Sequence, residues 1–119
     1  MKLAQVARTV NDITQSEEWY RSVLGLPHLY TYGPLAFFDL DGTRLMLSAD
    51  GGANEGESIL YFDVADIYTS YEELSSRGVR FRDAPRLIHR HEDGVEEWMA
   101  FFEDVEGRLL ALAAKVAPS

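Results

Sequence analysis

The sequence predicts an α+β fold made of two tandem βαβββ modules. Three observations predict it. One strand-like segment, one helix-like segment and three further strand-like segments follow in that order, and the order restarts after residue 57. A polar, glycine-rich stretch separates the halves, and short peptides recur at matching places in both. A doubly wound sheet alternates strand and helix, so it fits these two runs of three strands poorly.

The first module covers about residues 1–48 and opens with an apolar strand at residues 3–10. A helix follows, with Thr14 and Ser16 as candidate N-caps and Gly25 as its end. Its apolar residues lie at helical spacing: Trp19, Tyr20, Val23 and Leu24. Three strands complete the module, with an Asp41-Gly42 hairpin turn before the last: residues 29–32, 35–40 and 44–48.

Residues 49–57 contain three glycines and one asparagine, a composition typical of a connector. The second module covers about residues 58–115 and begins with a strand at residues 59–64. Asp66 begins a turn into a helix that ends at Gly78. Extended segments follow, with Asp-Gly and Glu-Gly turns between the last three: residues 79–81, 87–90, 97–102 and 108–113.

An internal repeat supports the two-module prediction, because short matches occur in the same order in both halves. Val10-Asn11-Asp12-Ile13 matches Val64-Ala65-Asp66-Ile67 at an offset of 54 residues. Leu24-Gly25-Leu26 corresponds to Arg77-Gly78-Val79 with a slip of one residue, and Ala36-Phe37-Phe38-Asp39 to Ala100-Phe101-Phe102-Glu103. After the last match both halves continue with an acidic residue, a glycine and an apolar strand, and matches in the same order indicate a structural duplication.

Length and composition predict one soluble, cytoplasmic domain. The chain has 119 residues, 46% of them hydrophobic, which suits a single globular core. It has no cysteine, no apolar signal-peptide run at its N-terminus and no apolar stretch of bilayer length. A net charge of −9 disfavours a nucleic-acid partner and would favour a cationic ligand.

An ordered set of motifs spanning nearly the whole chain resembles the vicinal oxygen chelate superfamily, which includes glyoxalase I, bleomycin-resistance proteins and extradiol dioxygenases. The motifs are Val10-x-Asp12, Trp19-Tyr20-x-x-x-Leu24-Gly25-Leu26, Ala36-Phe37-Phe38, Phe62-x-Val64-x-Asp66 and Trp98-Met99-Ala100-Phe101-Phe102-x-Asp104-x-x-Gly107. The resemblance implies that the two modules curl into an incomplete barrel around a cleft. It also implies a homodimer.

Enzymes of this superfamily, such as glyoxalase I, hold a divalent metal with side chains from four matching strands. The resemblance places those positions at Gln5, Met46, Ile59 and Ala111. A catalytic site needs about three nitrogen or oxygen ligands, and a thioether suits only soft metals. We therefore expect no metal at these positions and no cofactor.

Two other groups of residues are candidates for chemistry. His89 and His91 alternate on a predicted strand beside Glu92, so both imidazoles can share one face and bind a metal; exposed loop histidines are the competing interpretation. Asp63 is a candidate acid or base on the cleft side. Asp12, Asp66 and Asp104 are expected to cap helices or turns.

Strand alternation from the four ligand positions predicts a largely apolar and aromatic cleft, although aromatic core residues would give the same pattern. The candidate lining residues are Gln5, Met46, Ile59, Tyr61, Asp63, Trp98, Phe102 and Ala111. We expect a small-molecule-binding protein for planar or cationic ligands, similar to bleomycin-resistance proteins. The alternatives are a glyoxalase- or dioxygenase-like enzyme with a displaced metal site and a purely structural or regulatory dimer.

Overall fold

The computed structural model describes residues 1–50 and 58–118. The chain divides into two compact units, Met1–Ser58 and Ile59–Ser119. Most of the predicted connector, residues 51–57, lies outside the described residues. Within the described ranges, no helix has the length and apolar character needed to cross a membrane.

The first unit has a four-stranded sheet and one helical segment in βαβββ order. Strand β1 (Gln5–Thr9) leads into helix α1 (Ile13–Glu18), which continues as a turn of π-helix, Trp19–Val23. Three strands follow: β2 (His28–Tyr32), β3 (Leu35–Leu40) and β4 (Thr43–Ser48). The sheet order is β1-β4-β3-β2, with β1 parallel to β4 and the other pairs antiparallel.

The second unit repeats this arrangement with one strand divided in two. Its elements are β5 (Leu60–Asp63), α2 (Ile67–Ser76), β6 (Arg80–Phe81), β7 (Arg86–Arg90), β8 (Glu96–Glu103) and β9 (Leu109–Val116). β5 lies parallel to β9, β9 pairs with β8, and β8 pairs with both β6 and β7. The tandem βαβββ prediction is confirmed.

Aspartates cap both helices at matching places of the repeat. Asp12 accepts a hydrogen bond from the Gln15 amide at 3.0 Å, and Asp66 accepts one from the Thr69 amide at 3.1 Å. Each carboxylate satisfies an amide that has no partner within its own helix. The expectation that Asp12 and Asp66 act as caps is confirmed, and the candidates Thr14 and Ser16 were wrong, because α1 begins at Ile13, one residue after Asp12.

The predicted Asp41-Gly42 turn joins β3 to β4 as a two-residue loop, since Leu40 pairs with Thr43. Both residues have positive φ, 54° and 101°. A type I′ hairpin turn requires this conformation at both central positions, and its twist matches that of the flanking strands. The turn fixes the register of β4 on β3, and therefore which β4 side chains share a face with β1.

Each sheet packs its helical segment on one face. In the first unit, Tyr20 from the helical segment contacts Phe38 at a ring distance of 6.0 Å. In the second, Tyr71 of α2 contacts Phe81, which contacts Phe102. The fully or almost fully buried strand residues on these faces are Ala36, Phe38, Leu45, Leu47, Ala100, Phe102, Leu110, Leu112 and Ala114. We call the opposite side of each sheet its helix-free face.

Candidate functional site

The helix-free face of the first unit brings together a polar and aromatic cluster from all four strands. Strand register places Gln5 opposite Arg44, Met46 opposite Phe37, and Phe37 opposite Tyr30. Directly opposite residues on neighbouring strands point to the same face. Two predicted site residues are thus adjacent, and the Gln5 amide nitrogen lies 3.8 Å from the Met46 sulfur.

Arg44 lies at the centre of this cluster and makes most of its contacts. Its Nε and Nη2 atoms donate to Gln5 Oε1 at 3.1 and 2.6 Å, and its Nη1 atom donates to the Tyr30 hydroxyl at 3.3 Å. The guanidinium carbon lies 4.8 Å from the centre of the Phe37 ring. Tyr30 in turn stacks on Phe37 at 4.6 Å. We call these four residues, together with Met46, the Arg44 cluster.

Arg44 forms no ion pair with a carboxylate of the described residues. Asp39 lies directly opposite Arg44 in the sheet, but its carboxylate accepts from the Gly42 amide at 3.0 Å. Among residues 1–50 and 58–118, no carboxylate forms an ion pair with Arg44, whose acceptors are a neutral amide and a neutral phenol. The side chain is only part-buried, so this charge is reachable from solvent.

Sequence reasoning missed Arg44, although the signal was present. Residues 44 and 46 have the same parity on one strand, so alternation puts both on the face that also carries Gln5. The expected metal position identified only Met46 on this face, although Arg44 is its neighbour there.

The helix-free face of the second unit is aromatic around a small residue. Ala111 is flanked in the sheet by Tyr61 on β5 and by Phe101 on β8. The centres of those two rings are 5.9 Å apart, less than the span of two strand spacings, so the rings lean together over Ala111. Ala111 itself is fully buried.

The other predicted residues of this unit are arranged around that group. Asp63 pairs with Ala113 on the same face as Tyr61, and its side chain is exposed. Ile59 precedes β5 and is half-buried. Tyr61 is 50% exposed, which leaves one side of its ring available to a ligand.

The prediction that Trp98 and Phe102 share a face with Ala111 was wrong. Register pairs Ala111 with Phe101, whereas Trp98 pairs with Ala114 and Phe102 with Leu110. Alternation within each strand was correct, but β8 and β9 were matched one residue out of register, and such a slip moves every side chain to the other face. Trp98 and Phe102 therefore lie on the helix side.

On the helix side Trp98 has its own polar and aromatic surroundings. Its indole N–H donates to Glu96 at 3.1 Å, and its ring meets Tyr68 of α2 edge-on at 6.1 Å. Hydrogen bonds from Arg90 and then from Trp98 hold the pKa of Glu96 below its usual value. Tyr68, Glu96 and Trp98 line part of a cavity of about 440 Å³ near the start of α2, together with Lys115.

The two candidate histidines do come together. A bulge lies between Leu87 and His89 on β7, and the rings of His89 and His91 meet edge-on with centres 4.5 Å apart. His91 Nε2 lies 2.6 Å from a Glu97 carboxylate oxygen, and this hydrogen bond lowers the pKa of Glu97. Across the part of the chain that the structure describes, however, no group of three or more His, Cys, Asp or Glu side chains is arranged to hold a metal ion.

Sequence comparison decides the family. The Glyoxalase/Bleomycin resistance protein/Dioxygenase superfamily model matches residues 2–112. The chain belongs to this superfamily. Bacillus subtilis (strain 168) uncharacterized protein YraH is 30% identical in an alignment that covers 94% of this chain and 97% of that protein.

Solved structures of low sequence identity share the superfamily fold. Lactoylglutathione lyase from Agrobacterium tumefaciens aligns with a TM-score of 0.73 and 18% identity, covering 95% of this chain and 92% of that one. Virulence protein STM3117 from Salmonella typhimurium aligns with a TM-score of 0.76 and 18% identity, covering 98% of both chains.

The residues at the four positions where the family resemblance predicts metal ligands do not fit a divalent cation. Gln5 Oε1 already accepts two N–H groups of a guanidinium, so a metal about 2 Å from that oxygen would lie within about 5 Å of Arg44 Nη2. Two like charges that close repel each other. Met46 offers a thioether, and Ile59 and Ala111 offer only hydrocarbon.

Proposed function

We propose that this superfamily member is a small-molecule-binding protein that works without the divalent metal of the superfamily's enzymes. One observation carries the proposal: at the first ligand position, the Gln5 carbonyl oxygen holds the guanidinium of Arg44. A fixed organic cation there replaces the electrostatic role of a metal ion without its open coordination position. Such a group can bind and orient a ligand, but it supplies no metal-bound water.

The composition of both helix-free faces supports ligand binding. Tyr30 is 46% exposed and contacts Phe37 on the neighbouring strand, and Tyr61 is 50% exposed and contacts Phe101 across β9. Apolar and aromatic surface with a few directed polar groups is the usual composition of a small-molecule site. Planar compounds are therefore the first ligand class to test.

A metal-dependent glyoxalase- or dioxygenase-like enzyme with a displaced site is the second candidate. The observation that favours it is the contact among His89, His91 and Glu97, because imidazole and carboxylate are ordinary ligands of zinc and iron. That cluster would have to rearrange, since Glu97 is now hydrogen-bonded to the ring nitrogen that would bind a metal.

Thermal-shift screening of EDTA-treated protein separates the two functions. A library of planar small molecules, antibiotics included, is screened with and without Zn²⁺, Mn²⁺, Ni²⁺ and Fe²⁺. We expect some compounds to raise the melting temperature equally with and without metal. Stabilisation that requires a metal, together with metal-dependent turnover of methylglyoxal–glutathione hemithioacetal or of a catechol, would overturn the proposal.

The oligomeric state and the cellular location of the protein are two further proposals. We infer a homodimer in the cytoplasm, because this superfamily resemblance implies a dimer and the chain has no cysteine. Sedimentation equilibrium gives the assembly mass directly. A mass of one chain at micromolar concentration would contradict the dimer.

A further inference from the structure

We propose that the Arg44 cluster recognises a carboxylate monoanion carried by a flat apolar group. The inference rests on the proposed small-molecule function and names its ligand class. The sequence charge of −9 favours a cationic ligand for the protein as a whole. The side chains on the helix-free face of the first unit favour the opposite sign at this position.

The hydrogen-bonding groups that remain in the cluster are donors. A guanidinium has five N–H groups, and the three bonds of Arg44 use one each on Nε, Nη1 and Nη2. One N–H therefore remains on each terminal nitrogen for a charge-assisted hydrogen bond to an anionic oxygen. The Tyr30 hydroxyl accepts from Arg44, which leaves its own proton to donate.

Gln5 adds another hydrogen-bond donor to the cluster and no free acceptor. Its carbonyl oxygen is occupied by two donors of Arg44, so its amide nitrogen is the end turned toward Met46. A thioether is a weak acceptor, and the other amide proton is available. A ligand at this position meets N–H and O–H groups but no acceptor of the cluster, which suits an anionic oxygen and not an ammonium.

The charge balance selects a monoanion. Arg44 is the one cation of the cluster, and Asp39 lies directly opposite it on the neighbouring strand. The guanidinium offsets the single charge of a carboxylate, whereas the second charge of a phosphate monoester would face Asp39 without compensation. Carboxylates should therefore bind better than dianionic phosphates of the same shape.

The aromatic pair beside the guanidinium selects a flat apolar group. Phe37 is 7% exposed and supports both Arg44 and Tyr30, whose ring is 46% exposed. A flat ring attached to the carboxylate can pack against the exposed part of Tyr30 while the carboxylate reaches Arg44. Because Gln5, Tyr30 and Phe37 already hold the guanidinium, little conformational entropy is lost when a ligand binds.

An NMR titration with four matched probes tests the ligand class. Benzoate, benzamide, benzamidinium and phenyl phosphate share a ring and differ in charge. We expect benzoate to shift the Arg44 Nε–H resonance and to bind at least about 10-fold more tightly than the other three, since it alone combines charge-assisted hydrogen bonds with a single negative charge.

Variants assign the binding to named side chains. Arg44→Met should weaken benzoate binding by about 10- to 100-fold, and Tyr30→Phe by about 2- to 10-fold. Arg21→Met is the matched control, because Arg21 pairs with Glu17 on the helical segment, and it should leave binding unchanged. If Arg44→Met does not fold, Arg44→Lys takes its place in the test. It keeps the positive charge but loses the planar guanidinium, so it should bind benzoate weakly.

The outcomes separate this inference from the proposed function. Equal or tighter binding of benzamide, benzamidinium or phenyl phosphate would overturn the carboxylate class and leave small-molecule binding standing. Benzoate binding that does not move the Arg44 resonance, or no benzoate binding at all, would overturn the site. Failure of the proposed function itself would appear as metal-dependent stabilisation and turnover in the thermal-shift screen.

Discussion

Replacing Phe102 with alanine should destabilise the protein much more than replacing Tyr61 with alanine. Phe102 is fully buried on the helix side and packs against Phe81 at 5.2 Å. Truncating such a residue removes its burial and leaves a cavity, at a cost of about 3–5 kcal/mol. Tyr61 is half exposed and has one edge contact, with Phe101, so its loss should cost about 1–2 kcal/mol.

Urea unfolding at pH 7.5, followed by far-UV circular dichroism, measures both changes in the free energy of unfolding. Phe102→Leu, with an expected loss of about 1–2 kcal/mol, keeps the comparison measurable if Phe102→Ala does not fold. Equal losses for Phe102→Ala and Tyr61→Ala would refute the assignment of these residues to opposite faces. That result would return Phe102 to the ligand-binding face predicted from sequence.

Three further predictions test the turn, an ion pair and the vacated metal position. Gly42→Ala should lower the free energy of unfolding by about 1 kcal/mol or more because φ is 101°, whereas Asp41→Asn should change it little; urea unfolding measures both. Arg90→Gln should raise the pKa of Glu96, measured by a carbon-detected NMR titration, and no rise would refute the pairing of Arg90 with Glu96. Because the pKa of Glu96 is lowered in the folded protein, this pair stabilises the fold at neutral pH, and the stabilisation is lost as the pH falls through that lowered pKa. Ala111→Glu should destabilise the protein by about 2–4 kcal/mol in urea without creating Zn²⁺ binding by calorimetry, because it buries a carboxylate.

The fold was predictable because its determinants are local and occur twice. Aspartate before each helix, a glycine after it and an Asp-Gly hairpin turn each act through their own backbone conformation, so each is visible in the sequence. The repeat then restricts the order of elements. Of the polar residues offered as caps before the first helix, Asp12 was correct and Thr14 and Ser16 were wrong.

The site was less predictable because it depends on register between strands. Alternation within β8 correctly groups Trp98 with Phe102, but nothing local shows that Phe101 is the neighbour of Ala111. The role of Arg44 was missed because it also depends on neighbouring strands. Its role depends on Gln5, Phe37 and Tyr30, which are brought beside it by three strand pairings.

Metal content tests the central claim most directly. Protein expressed in medium supplemented with zinc, manganese and nickel is purified without chelator, passed through gel filtration and analysed by inductively coupled plasma mass spectrometry. Because the Gln5 carbonyl holds Arg44 and the other three positions lack hard ligands, we predict far less than one divalent ion per chain. About one tightly bound ion per chain would contradict the account.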